Sequence, residues 1–143
     1  MMVSEPARIV NVSSLAQQPI DFDDIMLTRG YSGGRAYAQS KLAQIMFTFD
    51  LARELDPTAI TANCLHPATY MATTMVRQSG VTPISSVEEG AEAILNLAVS
   101  EKLDGHSGEF YNGLRRSRAS AQAYDDRARE RLRALSMRLT GLA

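Results

Sequence analysis

Tyr37 and Lys41 are of the right types and spacing for acid–base chemistry, because they stand four positions apart in the strongly helical stretch 35–44. Side chains at i and i+4 share one face of a helix, with Cβ atoms about 5–6 Å apart. A neighbouring ammonium favours a phenolate and so lowers the pKa of a tyrosine, ordinarily about 10. Lowering it by about three units takes roughly 4 kcal/mol, more than one exposed ion pair supplies. The pair therefore predicts a proton donor or acceptor in a partly desolvated pocket.

Two short β-branched segments lie on either side of this helix. The run Ile-Val-Asn-Val at 9–12 predicts a buried parallel strand and is followed directly by Ser13 and Ser14. Ligands of open α/β sheets gather at the carboxyl ends of the strands, which is where these serines fall. Paired serines can simply end a strand, but the Tyr-Lys pair makes Ser14 a catalytic candidate. The run 60–65 predicts the next strand.

The order of these features resembles the C-terminal half of a short-chain dehydrogenase/reductase and is most similar to the retinol-dehydrogenase-like branch. The resemblance rests on Asn-Val-Ser-Ser at 11–14, Tyr-Ala-Gln-Ser-Lys-Leu-Ala at 37–43 and Asn-Cys-Leu-His-Pro at 63–67. It implies an α/β fold, the C-terminal part of a Rossmann-like doubly wound parallel sheet with about three strands and three to four helices. The N-terminal strands are expected to be absent, and residues 1–143 to form one partial domain.

The resemblance also implies a mechanism and a site. Tyr37 would exchange a proton with the oxygen of a small-molecule alcohol or carbonyl, and Ser14 would hydrogen-bond the same oxygen. Tyr37 and Lys41 would also contact NAD or NADP, and Lys41 would lower the pKa of Tyr37 and hydrogen-bond the nicotinamide ribose. In the family the loop that follows the strand corresponding to 60–65 holds the nicotinamide carboxamide, and the positions carried over to it are Pro67, Thr69 and Tyr70. Ala68 departs from the family pattern, in which a glycine usually follows the proline.

Members of this family begin with a strand and a glycine-rich turn that hold the cofactor's pyrophosphate. The glycine cluster at 30–34 has neither the G-x-G-x-x-G spacing nor a strand directly before it. Two hypotheses follow. The chain is the catalytic half of an NAD(P)-dependent oxidoreductase, or it is a truncated, non-catalytic remnant that acts at most as a dimerisation or interaction module. The isolated chain is expected to be inactive.

Composition and charge argue against several other classes of protein. The formal charge of −1 argues against a general polyanion binder, and the four arginines between 127 and 133 alternate with acids as in a solvated helix, so no nucleic-acid partner is expected. His66 and His106 do not have the sequence spacing of metal ligands, so no metal site is predicted. No run of eighteen apolar residues predicts a membrane span, and the first residues lack the apolar core of a signal peptide. A single cysteine cannot form a disulfide within the chain, which suits a reducing compartment, so a cytoplasmic protein is expected.

The helix predicted at 34–55 has a buried stripe of five residues, Ala38, Leu42, Ile45, Phe49 and Ala52. A second apolar strip on this helix, Met46, Phe47 and Leu51, fits either a homo-oligomer contact through residues 35–55 or burial within the monomer. The long loop 15–34 either shapes substrate choice or is a surface insertion.

Weaker features complete the chain. Ser86 and Glu89 form a capping box before a helix, whose buried side is predicted at Val87, Ala91, Ile94, Leu95 and Ala98. A last strand is predicted at 108–113 and a C-terminal helix from Tyr124. Cys64 and His66 mimic a thiol protease dyad, but no third member accompanies them, so we reject that hypothesis.

Overall fold

The computed structural model describes residues 6–142, which form a four-stranded sheet with helices on both faces. The elements are β1 (Ala7–Val12), α1 (Gly33–Leu55), β2 (Ile60–His66), α2 (Thr74–Gln78), α3 (Val87–Val99), β3 (Phe110–Asn112), β4 (Arg115–Ser117) and α4 (Asp126–Thr140). The strands lie in the order β1-β2-β3-β4. The first three are parallel, and β4 pairs antiparallel with β3. The predicted α/β fold class is confirmed, with β4 as an additional, antiparallel strand that was not predicted.

Two hydrophobic cores lie on opposite faces of the sheet. Cys64 and Phe110 point to the face covered by α1 and the start of α4. Their chain neighbours Leu65 and Tyr111 point to the face covered by α3. This alternation follows from the two-residue repeat of a strand and makes the sheet doubly wound, as predicted.

Helix α1 forms where local signals place it. Ser32 caps its first turn by accepting a hydrogen bond from the Arg35 amide at 3.1 Å, and the helix ends before Asp56 and Pro57. All five residues of the predicted stripe are buried. Of the second strip, Met46 is fully buried within the chain, whereas Phe47 is exposed over 57% of its surface. The outer face of α1 therefore carries one large uncovered apolar side chain.

The prediction for the buried side of α3 is wrong for three of its five residues, while Ile94 and Ala98 are half-buried. The capping box of Ser86 and Glu89 forms as predicted, but Val87, Ala91 and Leu95 are exposed. The buried residues of α3 are Gly90, Ala93 and Leu97, with Ile94 packed at their edge. Both sets satisfy helical spacing, and only packing on β1 and β2 decides between them.

The end of the chain also differs from prediction. The last predicted strand is shorter, at Phe110–Asn112, and α4 begins at Asp126 rather than Tyr124. Tyr124 instead closes a short 3₁₀ turn, Ala121–Tyr124, and Asp125 caps the helix through the amides of Arg127 and Ala128. A capping aspartate competes with helical extension and therefore sets this boundary.

The start of β1 is fixed to the far end of α3. Arg8 donates hydrogen bonds to the carbonyls of Leu97 at 3.3 Å and Ser100 at 2.9 Å, and it pairs with Asp104. These carbonyls lie at the C-terminus of a helix, where a cation is favoured by the helix dipole. The arginine thus satisfies the Leu97 carbonyl, which the helix itself leaves unpaired, and adds a second donor to the Ser100 carbonyl, which already accepts from the Leu103 amide.

Candidate active site

Tyr37 and Lys41 lie one turn apart near the start of α1. The Lys41 Nζ is 5.6 Å from the centroid of the Tyr37 ring. The Tyr37 side chain is 45% exposed, while Lys41 is half-buried. The i, i+4 spacing therefore brings cation and phenol together as the sequence predicts, in a site more open to solvent than the predicted pocket.

The Lys41 ammonium is held by two oxygen acceptors. It donates to the backbone carbonyl of Val12 at 3.2 Å and to the side-chain oxygen of Gln44 at 3.3 Å. An ammonium has three donors, so these contacts leave one N–H for a further partner. Because Val12 is the last residue of β1, the charge lies at the carboxyl end of the sheet.

The two serines after β1 have different surroundings. The hydroxyl of Ser13 donates to the backbone carbonyl of Lys41 at 2.8 Å, and its amide donates to the carbonyl of Leu65 at 2.7 Å. The Ser14 hydroxyl accepts a hydrogen bond from the Ala16 amide at 3.1 Å. That contact leaves the Ser14 proton available for a substrate oxygen. Both serines are buried.

The loop after β2 is ordered by contacts of its own. His66 is buried, and its Nε2 hydrogen-bonds the hydroxyl of Thr69 at 2.9 Å. Burial lowers the pKa of His66 from its ordinary value of 6.5, which favours the neutral ring at neutral pH. Tyr70 is half-exposed in the left-handed region at φ 46°, and its carbonyl accepts from the Ile84 amide at 3.1 Å. Pro67 directly follows His66, the last residue of β2. The three predicted positions, Pro67, Thr69 and Tyr70, therefore lie in one loop.

Cys64 has no catalytic environment. Its thiol is fully buried beneath α1, and desolvation raises its pKa to about 12. A thiol with that pKa stays protonated at neutral pH and is a poor nucleophile. The rejection of a Cys64–His66 dyad therefore has a physical basis.

The long loop between β1 and α1 is organised around a buried carboxylate. Asp24 accepts hydrogen bonds from the amide and hydroxyl of Thr28 and from the amide of Arg29 at 2.7–2.8 Å. These donors lower the pKa of Asp24 to about 2. Leu27 is buried beside it at φ 52°, while Met26 at the tip is 69% exposed. The loop is thus a compact surface structure adjoining the start of α1.

Comparisons with known proteins identify the class. Residues 1–83 match the family model described as short chain dehydrogenase. The chain is 37% identical to retinol dehydrogenase 13 of Homo sapiens over 160 aligned residues, covering 99% of this chain and 48% of that protein. The structure superposes on that of an uncharacterized protein from Mycobacterium paratuberculosis with a TM-score of 0.73 and 29% identity, over 94% of this chain and 50% of that one. It also matches an NADPH-bound carbonyl reductase from chicken fatty liver, with a TM-score of 0.56 and 27% identity, over 78% of this chain and 42% of that one.

The chain therefore belongs to the short-chain dehydrogenase family. Within it, the similarity places the chain in the retinol-dehydrogenase-like branch. It spans about half the length of the curated relatives that it matches. Among residues 6–142, no helix combines the length and apolar character needed to cross a bilayer.

Proposed function

We propose that residues 1–143 supply the catalytic half of an NAD(P)-dependent oxidoreductase that interconverts an alcohol and a carbonyl. The observation that carries this proposal is the position of the Lys41 ammonium, 5.6 Å from the Tyr37 ring and bonded to the last carbonyl of β1. Family membership supports it, as does the likeness to an NADPH-bound carbonyl reductase. The substrate is a small molecule with a hydroxyl or carbonyl group.

Each of three side chains has a distinct role in the proposed reaction. The Tyr37 phenol gives a proton to the substrate oxygen in reduction and takes it back in oxidation. The Lys41 ammonium stabilises the phenolate form by its charge. The Ser14 hydroxyl donates a hydrogen bond to the same oxygen and fixes it for proton transfer.

The residues at the carboxyl end of the parallel strands suit the nicotinamide end of the cofactor. When bound, NAD or NADP supplies or accepts the hydride. Lys41 has one ammonium donor left for a ribose hydroxyl, beside an exposed phenol. The Thr69 hydroxyl is already bonded to His66, so we assign the carboxamide contact to the backbone of the turn at 67–70. Pro67, Thr69 and Tyr70 remain the proposed cofactor positions.

A fusion tests this function directly. The nucleotide-binding half of a family member is joined in front of residue 1, and carbonyl reduction with NADH and NADPH is followed spectrophotometrically. We expect Tyr37→Phe to lower kcat by about 10²–10⁴-fold, the usual value of acid–base catalysis. Lys41→Met should lower both kcat and nucleotide affinity.

The matched control is Tyr124→Phe, which removes a phenol oxygen bonded to the Ala119 amide outside the site. Its kcat should stay near that of the parent fusion. If Tyr37→Phe keeps more than about a tenth of the parent kcat, Tyr37 is not the proton donor.

The second candidate is a non-catalytic module that associates with another chain through the 35–55 helix. The observation favouring it is the exposed Phe47, at the side of a groove of about 400 Å³ between α1 and α4. Leu132 and Met137 give this groove an apolar lining. Sedimentation velocity over a concentration series tests the idea. An associating module should dissociate in Phe47→Glu, whereas identical profiles for both proteins would exclude a contact through Phe47.

A further inference from the structure

We propose that Gln44 is a positioning residue that holds the Lys41 ammonium next to Tyr37 without neutralising its charge. The proposal deepens the proposed function and rests on it for its catalytic meaning. Lysine has a flexible four-carbon chain, so its charge acts on a neighbour only if something fixes it. Here the fixing contacts are the carbonyl of Val12 at 3.2 Å and the side-chain oxygen of Gln44 at 3.3 Å.

The backbone of Gln44 is linked to β1 through Thr48. The hydroxyl of Thr48 donates to the Gln44 backbone carbonyl at 2.8 Å and accepts from the Asn11 side-chain amide at 2.9 Å. Thr48 is fully buried, so this polar link is shielded from water. One turn earlier, Ser13 bonds the carbonyl of Lys41. The segment 41–48 is therefore joined to Asn11 of β1 and to Ser13 directly after it, at positions on either side of Gln44.

The chemical type of the acceptor matters as much as its position. Within the described residues 6–142, no carboxylate lies within ion-pair distance of Lys41. A neutral amide oxygen orients an ammonium and leaves its charge free to stabilise a phenolate. A glutamate at the same position would orient it equally well but oppose its charge. Glutamine therefore separates position from charge, and substitutions at 44 can test the two effects independently.

The 143-residue chain is well suited to the positional test, because it contains only two lysines, Lys41 and Lys102. With ¹³C-labelled lysine, NMR relaxation reports the mobility of each Cε, and the exposed Lys102 is the internal reference. We expect Lys41 to be more restricted than Lys102 in the parent. Gln44→Leu should make Lys41 more mobile than in the parent, because only the Val12 carbonyl would still hold its ammonium, while Gln44→Glu should keep it restricted. Gln78→Leu, an exposed glutamine in α2, should change neither lysine.

A second measurement tolerates self-association of the protein. Under limiting acylating reagent, mass spectrometry gives the ratio of modified Lys41 to modified Lys102. Gln44→Leu should raise this ratio about two- to ten-fold, the range expected for loss of one hydrogen bond. The proposal is overturned if Lys41 is as mobile as Lys102 in the parent, or if Gln44→Leu changes neither mobility nor ratio.

The kcat of the fusion tests whether the acceptor at position 44 must be neutral. Both Gln44→Leu and Gln44→Glu should lower kcat, the first by loosening Lys41 and the second by opposing its charge. A parent-like kcat in Gln44→Glu would refute the role of a neutral acceptor. The mobility and labelling readouts need no catalysis. An active Tyr37→Phe fusion would therefore defeat the proposed function, while the positional claim for Gln44 would still be decided by its own data.

Discussion

The buried hydroxyl of Ser13 donates to the backbone carbonyl of Lys41 at 2.8 Å, across 28 residues of chain. It thereby joins the carboxyl end of β1 to the turn of α1 that carries the candidate catalytic lysine. Ser14, one position later, makes no such contact and keeps its proton for donation. In our proposal, the two adjacent serines therefore differ in role: Ser13 holds the site together and Ser14 contacts the substrate.

That division predicts opposite effects for two alanine substitutions. Ser13→Ala should lower the free energy of unfolding by about 1 kcal/mol, the usual net value of one hydrogen bond. Ser14→Ala should lower it less but reduce kcat of the fusion more, since its hydroxyl faces substrate in our proposal. Urea unfolding followed by circular dichroism measures the first quantity. Equal losses of stability in both variants would contradict the division.

Met71 and Gly90 should show strong energetic coupling. A Cβ at Gly90 would overlap the Met71 sulfur, so glycine makes room for this side chain on α3. Gly90→Ala should destabilise the protein by about 1 kcal/mol, the low end of the cost of overpacking, because the flexible, half-buried Met71 side chain can partly move aside. In a Met71→Ala background the same change should stabilise it, by up to roughly 1 kcal/mol from helix propensity.

A double-mutant cycle in urea measures this coupling. The contact also bears on the candidate site, because Met71 follows Tyr70 directly and pairs with Ser85 at the base of the segment that contains α2. If Gly90→Ala has the same effect in both backgrounds, the two residues are independent.

Two arginines of α4 should differ sharply in their contribution to stability. The Arg129 side chain is only 9% exposed and bonds Asp50 at 2.8 Å and the Ala123 carbonyl at 3.1 Å. Arg133 pairs with Glu54 while 54% exposed. Breaking a buried pair costs roughly 3–5 kcal/mol, so Arg129→Met should be severe. Arg133→Met is the matched control and should cost at most about 1 kcal/mol.

Asp24 should make the stability of the protein depend on acid pH. Its pKa is lowered from 3.8 to about 2 in the folded chain, because Thr28 and Arg29 donate hydrogen bonds to the carboxylate. A depressed folded pKa stabilises the native state above the unfolded pKa, and this stabilisation is lost as the pH falls from about 3.8 to about 2. Asp24→Asn should therefore be less stable at neutral pH and show a shallower loss across that window. Parallel stability curves for the two proteins would exclude this role.

Local signals made much of the fold predictable from sequence. The stripe of α1, the capping box of α3 and the parallel strand before the serines each depend on neighbours within a few residues. That strand was predicted to be buried, but it is half-buried because it lies at the edge of the sheet. The side of α3 that is buried could not be predicted, because two apolar stripes have helical spacing and only the sheet selects one. Strand β4 was missed because Arg-Arg-Ser at 115–117 has no apolar alternation and forms by pairing with β3.

Some features of the candidate site were likewise predictable from the sequence, and others were not. The pairing of Tyr37 with Lys41 follows from helical spacing and was predictable. The role of Ser13 and the polar link from Asn11 through Thr48 to Gln44 depend on how β1 packs against α1. Three-dimensional closeness between residues 28 or more positions apart leaves no periodic signal in a single sequence.

The hydrogen bonds from Arg8 to the end of α3 have a consequence for biosynthesis. Its two carbonyl partners follow it by 89 and 92 residues. At about 5–20 residues per second, a ribosome needs roughly 5–20 s to make that stretch. Throughout this interval the β-branched strand β1 is made but not yet covered by α3. A chaperone that binds extended apolar segments would find its binding site at this strand on the nascent chain, before the helix that will cover it has emerged.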